Sequence, residues 1–135
     1  MIKLIIPGVP VPQGRPRFGK NSVYDPQKSR DYKAYVGLMA SNQMHSTPPM
    51  KEAARLTVKV YRPMPKGFSK KKQAQALSGG IRPMTKPDLD NYIKGIKDAL
   101  NGIVWGDDSQ VVEYGNSGKW YSDQPRVEIL IEKIA

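Results

Sequence analysis

The stretch DLDNYIKGIKDALNG (residues 88–102) decides the fold, because it combines a helical apolar stripe with a clear stop. Its apolar residues, separated by 4, 3 and 4 positions, fall on one face of a helix: Leu89, Ile93, Ile96 and Leu100. The Asn101-Gly102 pair is typical of the end of a helix. We therefore predict a helix that starts around Asp88 to Asp90 and ends at Leu100.

Strand patterns lie on both sides of this helix. Alternating apolar residues predict strands at residues 2–6, 55–62, about 110–117 and 126–133, the last two joined by a hairpin-like connection. A second helix is predicted from Ser29, as its N-cap, to about Gln43. The predicted order is β-α-β-(basic loop)-α-β-β. This order indicates an α+β fold in which residues 1–135 form a single domain, a small mixed β-sheet of about four strands with two main helices packed on it.

Two basic segments interrupt this pattern. Residues 7–28 contain five prolines and three glycines, which predicts an extended arm or a long loop rather than regular structure. Residues 63–87 contain four prolines and three glycines and form a basic insertion, inside which residues 70–77 could make a short helix. The basic residues of these segments that we expect to contact a polyanionic partner are Arg15, Arg17, Lys20, Lys70, Lys71, Lys72, Arg82 and Lys86.

The composition limits the classes of binding partner and the kinds of chemical site that the protein can have. Lys and Arg number 22 against 12 Asp and Glu, and the net charge of +10 favours a polyanionic partner such as DNA, RNA or an anionic membrane surface. A generally basic protein, or one that binds an acidic protein, is the alternative. The absence of cysteine excludes disulfides, thiolate zinc sites and a cysteine nucleophile, and His45 is the only histidine. No apolar run could span a bilayer and the N-terminus resembles a strand, so we expect a cytoplasmic protein.

Five of the twelve acidic residues fall between positions 88 and 108, against the overall charge of the chain. Capping of the predicted helix could explain one of Asp88 and Asp90, but it explains two carboxylates poorly and Asp107-Asp108 not at all. If Asp88, Asp90 and Asp108 converge in the fold, their oxygens would suit Mg²⁺ or Mn²⁺ rather than zinc. Such a site is typical of phosphodiester hydrolysis. The sequence alone does not establish this convergence.

Residues around the acidic cluster have two interpretations each. Lys94 could stabilise charge on a scissile phosphate or position the attacking water, or it could only form a salt bridge with Asp90 one turn earlier. Asn91 could contact substrate or cap the start of the helix. For Asp98 we expect a salt bridge with Lys94. Asp107 could support a metal ligand, or it could be a turn residue.

An ordered set of motifs adds a family resemblance. The segment from Lys86 to Val111 contains the pattern D-x-D-N, then K, then D-A-L-N-G, then D-D-x-Q. This set strongly resembles the RusA family of Holliday-junction resolvases. The segment PVPQGRPRF (residues 10–18) is similar to the arm found in many members of that family.

The resemblance implies specific roles and partners. It implies catalytic and metal-binding roles for Asp88, Asp90 and Asp108, with Lys94 as the essential lysine. It also implies a mixed α/β fold, a homodimer, four-way junction DNA as substrate, and an origin in a bacterium, prophage or phage. Two alternatives stay open, namely a noncatalytic module that binds branched DNA or other nucleic acid, and a nuclease that acts on flaps or forks.

Overall fold

The structure is a computed structural model that describes residues 1–15, 17–19, 23–24 and 26–134, with the backbone alone at residues 17–18 and 23–24. Its strands are β1 (Ile2–Pro7), β2 (Arg17–Phe18), β3 (Val23–Tyr24), β4 (Ala54–Pro63), β5 (Val111–Tyr114), β6 (Gly118–Ser122) and β7 (Arg126–Lys133). Its helices are α1 (Gln27–Met44), α2 (Lys70–Leu77) and α3 (Leu89–Ala99), and a single 3-10 turn covers Asp108–Gln110. Within the described ranges, none of these helices has the length and apolar character that a membrane span requires.

Strand β4 lies at the centre of a five-stranded mixed sheet. One edge of β4 pairs antiparallel with β7, which in turn pairs antiparallel with β1. The other edge pairs parallel with β5 near residues 54–56 and with β6 near residues 59–63. Because β4 and β5 run in the same direction, the chain between them must cross back over the sheet, and α3 forms part of that crossover. The predicted α+β fold is confirmed.

The core lies between one face of this sheet and helices α1 and α3. Alternate residues of the strands point into it, as the sequence pattern predicts: Leu4, Ile6, Leu56, Val58, Val60, Val127, Ile129 and Ile131. The helices contribute Val36, Ala40, Ile93, Ile96 and Leu100, and Trp105 is completely buried beside them. Each fully buried Val, Leu or Ile stabilises the fold by about 1.5–3 kcal/mol. The apolar stripe of residues 89–100 is therefore the surface that fixes α3 on the sheet.

Side chains of α1 cover the outer edge of β1. The Gln43 side chain accepts a hydrogen bond from the Ile5 N–H (2.9 Å) and donates one to the Ile5 carbonyl (2.7 Å). The Tyr35 hydroxyl donates to the Pro7 carbonyl (2.8 Å). These bonds replace the partners that a further strand would supply and fix α1 along the sheet edge.

Two predictions about the N-terminal half are wrong. Helix α1 begins at Gln27 with Pro26 as its N-cap residue, so Ser29 lies inside the helix rather than capping it. The Ser29 hydroxyl instead accepts a hydrogen bond from the Gly14 N–H (3.1 Å). The segment 7–28 also contains regular structure, because β2 and β3 pair antiparallel with each other. The Gly14–Ser29 bond joins residues 15 positions apart and leaves no local pattern in the sequence.

The C-terminal part differs from the prediction in strand number and connection. The strand expected at residues 110–117 is instead β5, followed by β6 after a break. At that break the Ser117 hydroxyl, not a backbone carbonyl, accepts the bond from the Val58 N–H (3.0 Å). The link from β6 to β7 is not a hairpin, because β4 lies between these two strands. By contrast, α2 (Lys70–Leu77) and β7 (Arg126–Lys133) occupy the residues predicted for them.

One polar group in the interior has no partner. The hydroxyl of Tyr32 is buried without a hydrogen bond among the residues that the structure describes. Its burial first, and the nearby Tyr35 and Tyr92 second, raise the pKa of the Tyr32 phenol, so it stays neutral at physiological pH. The cost of burying such a group without a partner is about 1–3 kcal/mol.

We predict that Tyr32→Phe raises the free energy of unfolding by about 1 kcal/mol, because it removes a buried hydroxyl that makes no hydrogen bond. Tyr35→Phe is the matched control, since it removes the same atom but breaks the bond to Pro7, and should lower the free energy of unfolding by about 1 kcal/mol. Urea denaturation of the two variants and the wild type measures both effects. A Tyr32→Phe protein less stable than the wild type would contradict the prediction.

Candidate active site

Two carboxylates lie at the N-terminus of α3. Asp88 is the N-cap residue, but its side chain makes no capping hydrogen bond. Asp90 follows in the first turn, and both residues are exposed. In the part of the chain that the structure describes, neither carboxylate has an ion-pair partner. Helix capping therefore does not account for this pair.

The second acidic pair is Asp107 and Asp108. Asp107 caps a turn, whereas the Asp108 carboxylate has no partner among the described residues. Asp107 caps the 3-10 turn, accepting a hydrogen bond from the Ser109 N–H (3.1 Å) as part of a capping box with Gln110. Hydrogen bonds from Ser109, side chain first and backbone second, lower the pKa of the Asp107 carboxyl. Asp108 is the first residue of the turn and is half-buried, and no described residue bonds to its carboxylate. Asp107 thus fills the turn role that the sequence left open.

The loop between α3 and this turn is held by a buried tryptophan. The Trp105 indole N–H donates to the Asn101 side-chain oxygen (2.9 Å), and its backbone carbonyl accepts from the Gly102 N–H (2.7 Å). Gly102 has a φ of 78°, a left-handed conformation that glycine adopts at no steric cost. The Gln110 amide fixes the far end by donating to the Met50 and Glu52 carbonyls. Asp108 therefore projects from a well-anchored turn.

Asp108 and α3 line one groove of about 520 Å³. Its walls bring together residues from the arm, both main helices and the 3-10 turn: Gln13, Gly14, Arg15, Lys33, Asn91, Lys94, Asp98 and Asp108. Of the predicted site residues, Asp108, Lys94, Asn91 and Arg15 are thus brought together. Asp88 and Asp90 are not among the lining residues. Asp90 lies four positions before Lys94 and eight before Asp98, so it continues the same helical face beyond the groove.

The ion pair inside the groove differs from the predicted one. Asp98 pairs with Lys33 of α1 at 2.9 Å, and the expected pair with Lys94 is wrong. Lys33 forms this pair because α1 packs against α3 and brings the Lys33 ammonium group to Asp98. Lys94 is exposed, and no carboxylate in the described chain, Asp90 included, lies within ion-pair distance of it. Its ammonium group therefore points into the groove without a fixed partner.

The start of the arm is docked on the two helices. The Gln13 N–H donates to the Asn91 carbonyl of α3 (3.0 Å), and the Gly14 N–H donates to Ser29 of α1. The arm lies close to α3 here, since a Cβ atom at Gly95 would be at ordinary van der Waals distance (3.4 Å) from the Gln13 nitrogen. The arm thus carries Arg15 to the rim of the groove.

Whether this site can hold a metal ion depends on its donor groups. Among the described residues, no three His, Asp or Glu side chains stand close enough to hold one ion as they are now arranged. The donor chemistry nevertheless fits Mg²⁺ or Mn²⁺, because Asp88, Asp90 and Asp108 offer carboxylate oxygens that no described cation neutralises. Convergence of all three on one ion stays a prediction.

The other basic residues predicted to contact DNA lie in different surroundings. Lys70, Lys71 and Lys72 are exposed in the first turn of α2, and Lys86 is exposed shortly before α3. The Arg82 guanidinium stacks on Trp120 (4.1 Å to the ring centroid) and donates to the Lys119 carbonyl (2.7 Å). The side chain of Arg17 and the whole of Lys20 lie outside the described residues.

Gln13 and Lys33 are groove residues that the sequence did not single out. Gln13 has no motif of its own beyond the proline-rich arm, and Lys33 is one of several polar residues of α1. Both reach the groove through packing of the arm and α1 against α3. The pattern of a single sequence carries no signal for such contacts.

Comparisons with known proteins identify the family of this chain. The family described as "Endodeoxyribonuclease RusA" matches residues 7–132. An uncharacterized protein of Bacillus subtilis strain 168, YqaN, is 49% identical over 140 residues, which cover 99% of this chain and 97% of that protein. The family match includes the arm, α3 and the turn that carries Asp108. The resemblance drawn from the acidic motifs is thereby confirmed, and the chain belongs to the RusA endodeoxyribonuclease family.

Proposed function

We propose that this protein is a Mg²⁺-dependent, structure-specific endodeoxyribonuclease that resolves Holliday junctions by paired, symmetric phosphodiester hydrolysis in DNA recombination and repair. The observation that carries the proposal is that Asp88, Asp90 and Asp108 have no cationic partner among the described residues and lie, with Lys94, on α3 and the 3-10 turn. The chain around them has a net charge of +10. Carboxylates beside phosphates weaken DNA binding unless a cation intervenes. A binding module would therefore gain nothing from them.

The proposed roles follow from position and charge. Asp88, Asp90 and Asp108 would hold the ion, which when bound lowers the pKa of water and stabilises charge on the leaving 3′-oxygen. Mn²⁺ offers the same oxygen-donor chemistry and should substitute. Lys94 would place its ammonium group against the scissile phosphate from the floor of the groove. Asn91 would orient substrate from the same helical face, and Asp107 would keep Asp108 in place by capping the turn.

The basic surface supplies affinity in this proposal. Arg15, Arg17, Lys20, Lys70, Lys71, Lys72, Arg82 and Lys86 would follow the phosphates of the junction arms without reading bases. The lysines of α2 occupy a helical first turn, where the backbone dipole favours acidic residues instead. Their placement therefore lowers helix stability and calls for a compensating role, which an approaching phosphate would provide.

A homodimer completes the proposal. A four-way junction has two-fold symmetry, and two identical sites related by a two-fold axis would cut opposite strands at equivalent positions. We further propose a cytoplasmic protein of bacterial, prophage or phage origin, in line with the family and with the Bacillus subtilis relative. A noncatalytic binding module and a nuclease for flaps or forks are the alternatives that the next experiments separate.

The first prediction concerns substrate and metal. A labelled synthetic four-way junction should receive paired, symmetric nicks in Mg²⁺, and EDTA should abolish them because the carboxylates alone cannot activate water. Linear duplex of the same sequence should stay intact, and flap and fork substrates should be cut more slowly. Tight junction binding without cleavage in Mg²⁺ or Mn²⁺ would indicate the binding module.

The neighbouring aspartates provide a matched pair of variants. Asp108→Asn should reduce junction cleavage by more than about 100-fold. Loss of a residue that only supports a metal ligand costs about 10-fold to 100-fold, so a larger loss indicates a direct role. Asp107→Asn changes the same charge one residue away, and should stay within about threefold of wild type because Asn caps as well as Asp. Single-turnover cleavage measures both, with junction binding by gel shift as the control. Equal losses in the two variants would remove Asp108 from the catalytic set.

The role of the α2 lysines is tested through salt. Replacing Lys70, Lys71 and Lys72 with Gln should weaken junction binding and flatten the plot of log affinity against log salt by about 0.9 for each lost phosphate contact. A control triple variant of Lys3, Lys51 and Lys133 makes the same change in net charge at exposed positions elsewhere. Identical slopes for the two triple variants would show that net charge, and not contact by α2, governs binding.

A further inference from the structure

We propose that Lys119, assisted by Arg62, is a positioning residue that fixes the backbone leading into α3 and thereby orients Asp88 for metal binding. This inference rests on the proposed function, because it assigns Lys119 a purpose at the same site. Lys119 lies outside the motifs that led to the site. It belongs to β6 and follows Asp88 by 31 residues along the chain.

The Lys119 ammonium group bonds to the segment just before α3. It donates to the Thr85 carbonyl (3.0 Å) and to the Pro87 carbonyl (3.0 Å). The Pro87 carbonyl belongs to the peptide unit that joins Pro87 to Asp88, so its hydrogen bond restricts rotation of the backbone directly before the Asp88 side chain. Lys119 itself is held in the sheet, where β6 pairs with β4 and Lys119 lies opposite Val60.

Two further basic side chains act on the same segment. The Arg62 guanidinium of β4 donates to the Thr85 carbonyl (3.1 Å). Arg82, at the beginning of the segment, stacks on Trp120 and donates to the Lys119 carbonyl. Trp120 stacks in turn on Tyr61 of β4, with ring centroids 5.7 Å apart. The segment from Arg82 to Pro87 is therefore tied at three points to the β4–β6 edge of the sheet.

The choice of acceptors is the informative feature. In the described chain, Lys119, Arg62 and Arg82 form no salt bridge, and the hydrogen bonds named above go mainly to backbone carbonyls. A salt bridge from any of them to Asp88 would also fix α3, but it would occupy the carboxylate. Bonds to the neighbouring carbonyls fix the backbone and leave the Asp88 oxygens available to a cation. Such an arrangement positions a ligand without competing for it.

Lys119 could act through its charge or by positioning Asp88, and these two roles predict opposite effects of its removal on the affinity for a divalent ion. Removing a cation near a metal site strengthens binding of a divalent ion if the cation acts only through its field. Removing a support for a ligand weakens binding, by about 10-fold to 100-fold at known metal sites. Binding of Mn²⁺ to the DNA-free protein, measured by calorimetry or by electron paramagnetic resonance, separates the two.

We expect Lys119→Met to weaken Mn²⁺ binding by about 10-fold. Lys119→Arg should restore binding to within about threefold, because a guanidinium can donate to both carbonyls. Lys59→Met is the charge control, since Lys59 lies on β4 with its ammonium group 5.9 Å from the Trp120 ring, and it should leave Mn²⁺ binding unchanged or slightly tighter. The midpoint of Mg²⁺ activation of junction cleavage should rise for Lys119→Met, while the rate at saturating Mg²⁺ recovers.

The outcomes distinguish this inference from the proposed function. If the wild type binds Mn²⁺ and Lys119→Met binds it equally or more tightly, the positioning role of Lys119 is overturned while the metal site stands. If the folded wild type binds no Mn²⁺, the proposed metal site fails and this role fails with it. The amide resonance of Asp88 in a nitrogen-proton NMR spectrum of the metal-free protein gives a check that does not depend on metal binding. It should shift in Lys119→Met and return in Lys119→Arg, and an unchanged resonance in Lys119→Met would contradict the proposal.

Discussion

The pairing of β4 along both of its edges is the constraint on which the other features depend. Because β5 runs parallel to β4, the chain must cross the sheet between these two strands, and α3 forms part of that crossover. The 3-10 turn with Asp108 directly precedes β5, and Lys119 lies on β6. One strand therefore sets the relative positions of the Asp108 turn, the groove and the segment that enters α3.

Near the start of α3 and the Asp108 turn, the described charged side chains bond mainly to backbone groups rather than to each other. Lys119 and Arg62 donate to backbone carbonyls, and Asp107 accepts from its own turn. Asp98 is the acidic residue of α3 that does take a cationic partner, Lys33. The result is a strongly basic chain in which the carboxylates at the start of α3 form no ion pair with any described residue. In the proposed function, carboxylates in this condition would attract a small divalent ion to the surface that meets DNA.

The sequence predicts what depends on short-range pattern. The apolar stripe of residues 89–100, the alternation of β7 and the short helix at residues 70–77 each carry their own periodicity, and the structure has them at those residues or within one of them. Of these segments, the one that forms α3 also carried most of the motifs of the family resemblance. What the sequence did not predict depends on packing between distant segments. Ser29 bonds to the arm instead of capping α1, Lys33 displaces Lys94 as the partner of Asp98, and Ser117 interrupts the edge strand.

The cover on β1 has a consequence for how copies of this chain can meet. A bare outer strand invites an identical strand to add to it, which leads to edge-to-edge aggregation. Here Gln43 already occupies both backbone groups of Ile5, Tyr35 occupies the carbonyl of Pro7, and proline has no N–H to offer. Extension of the sheet beyond β1 would have to break these bonds first. If two copies of this chain assemble as proposed, we expect them to associate through side-chain surfaces and not by merging their sheets at this edge.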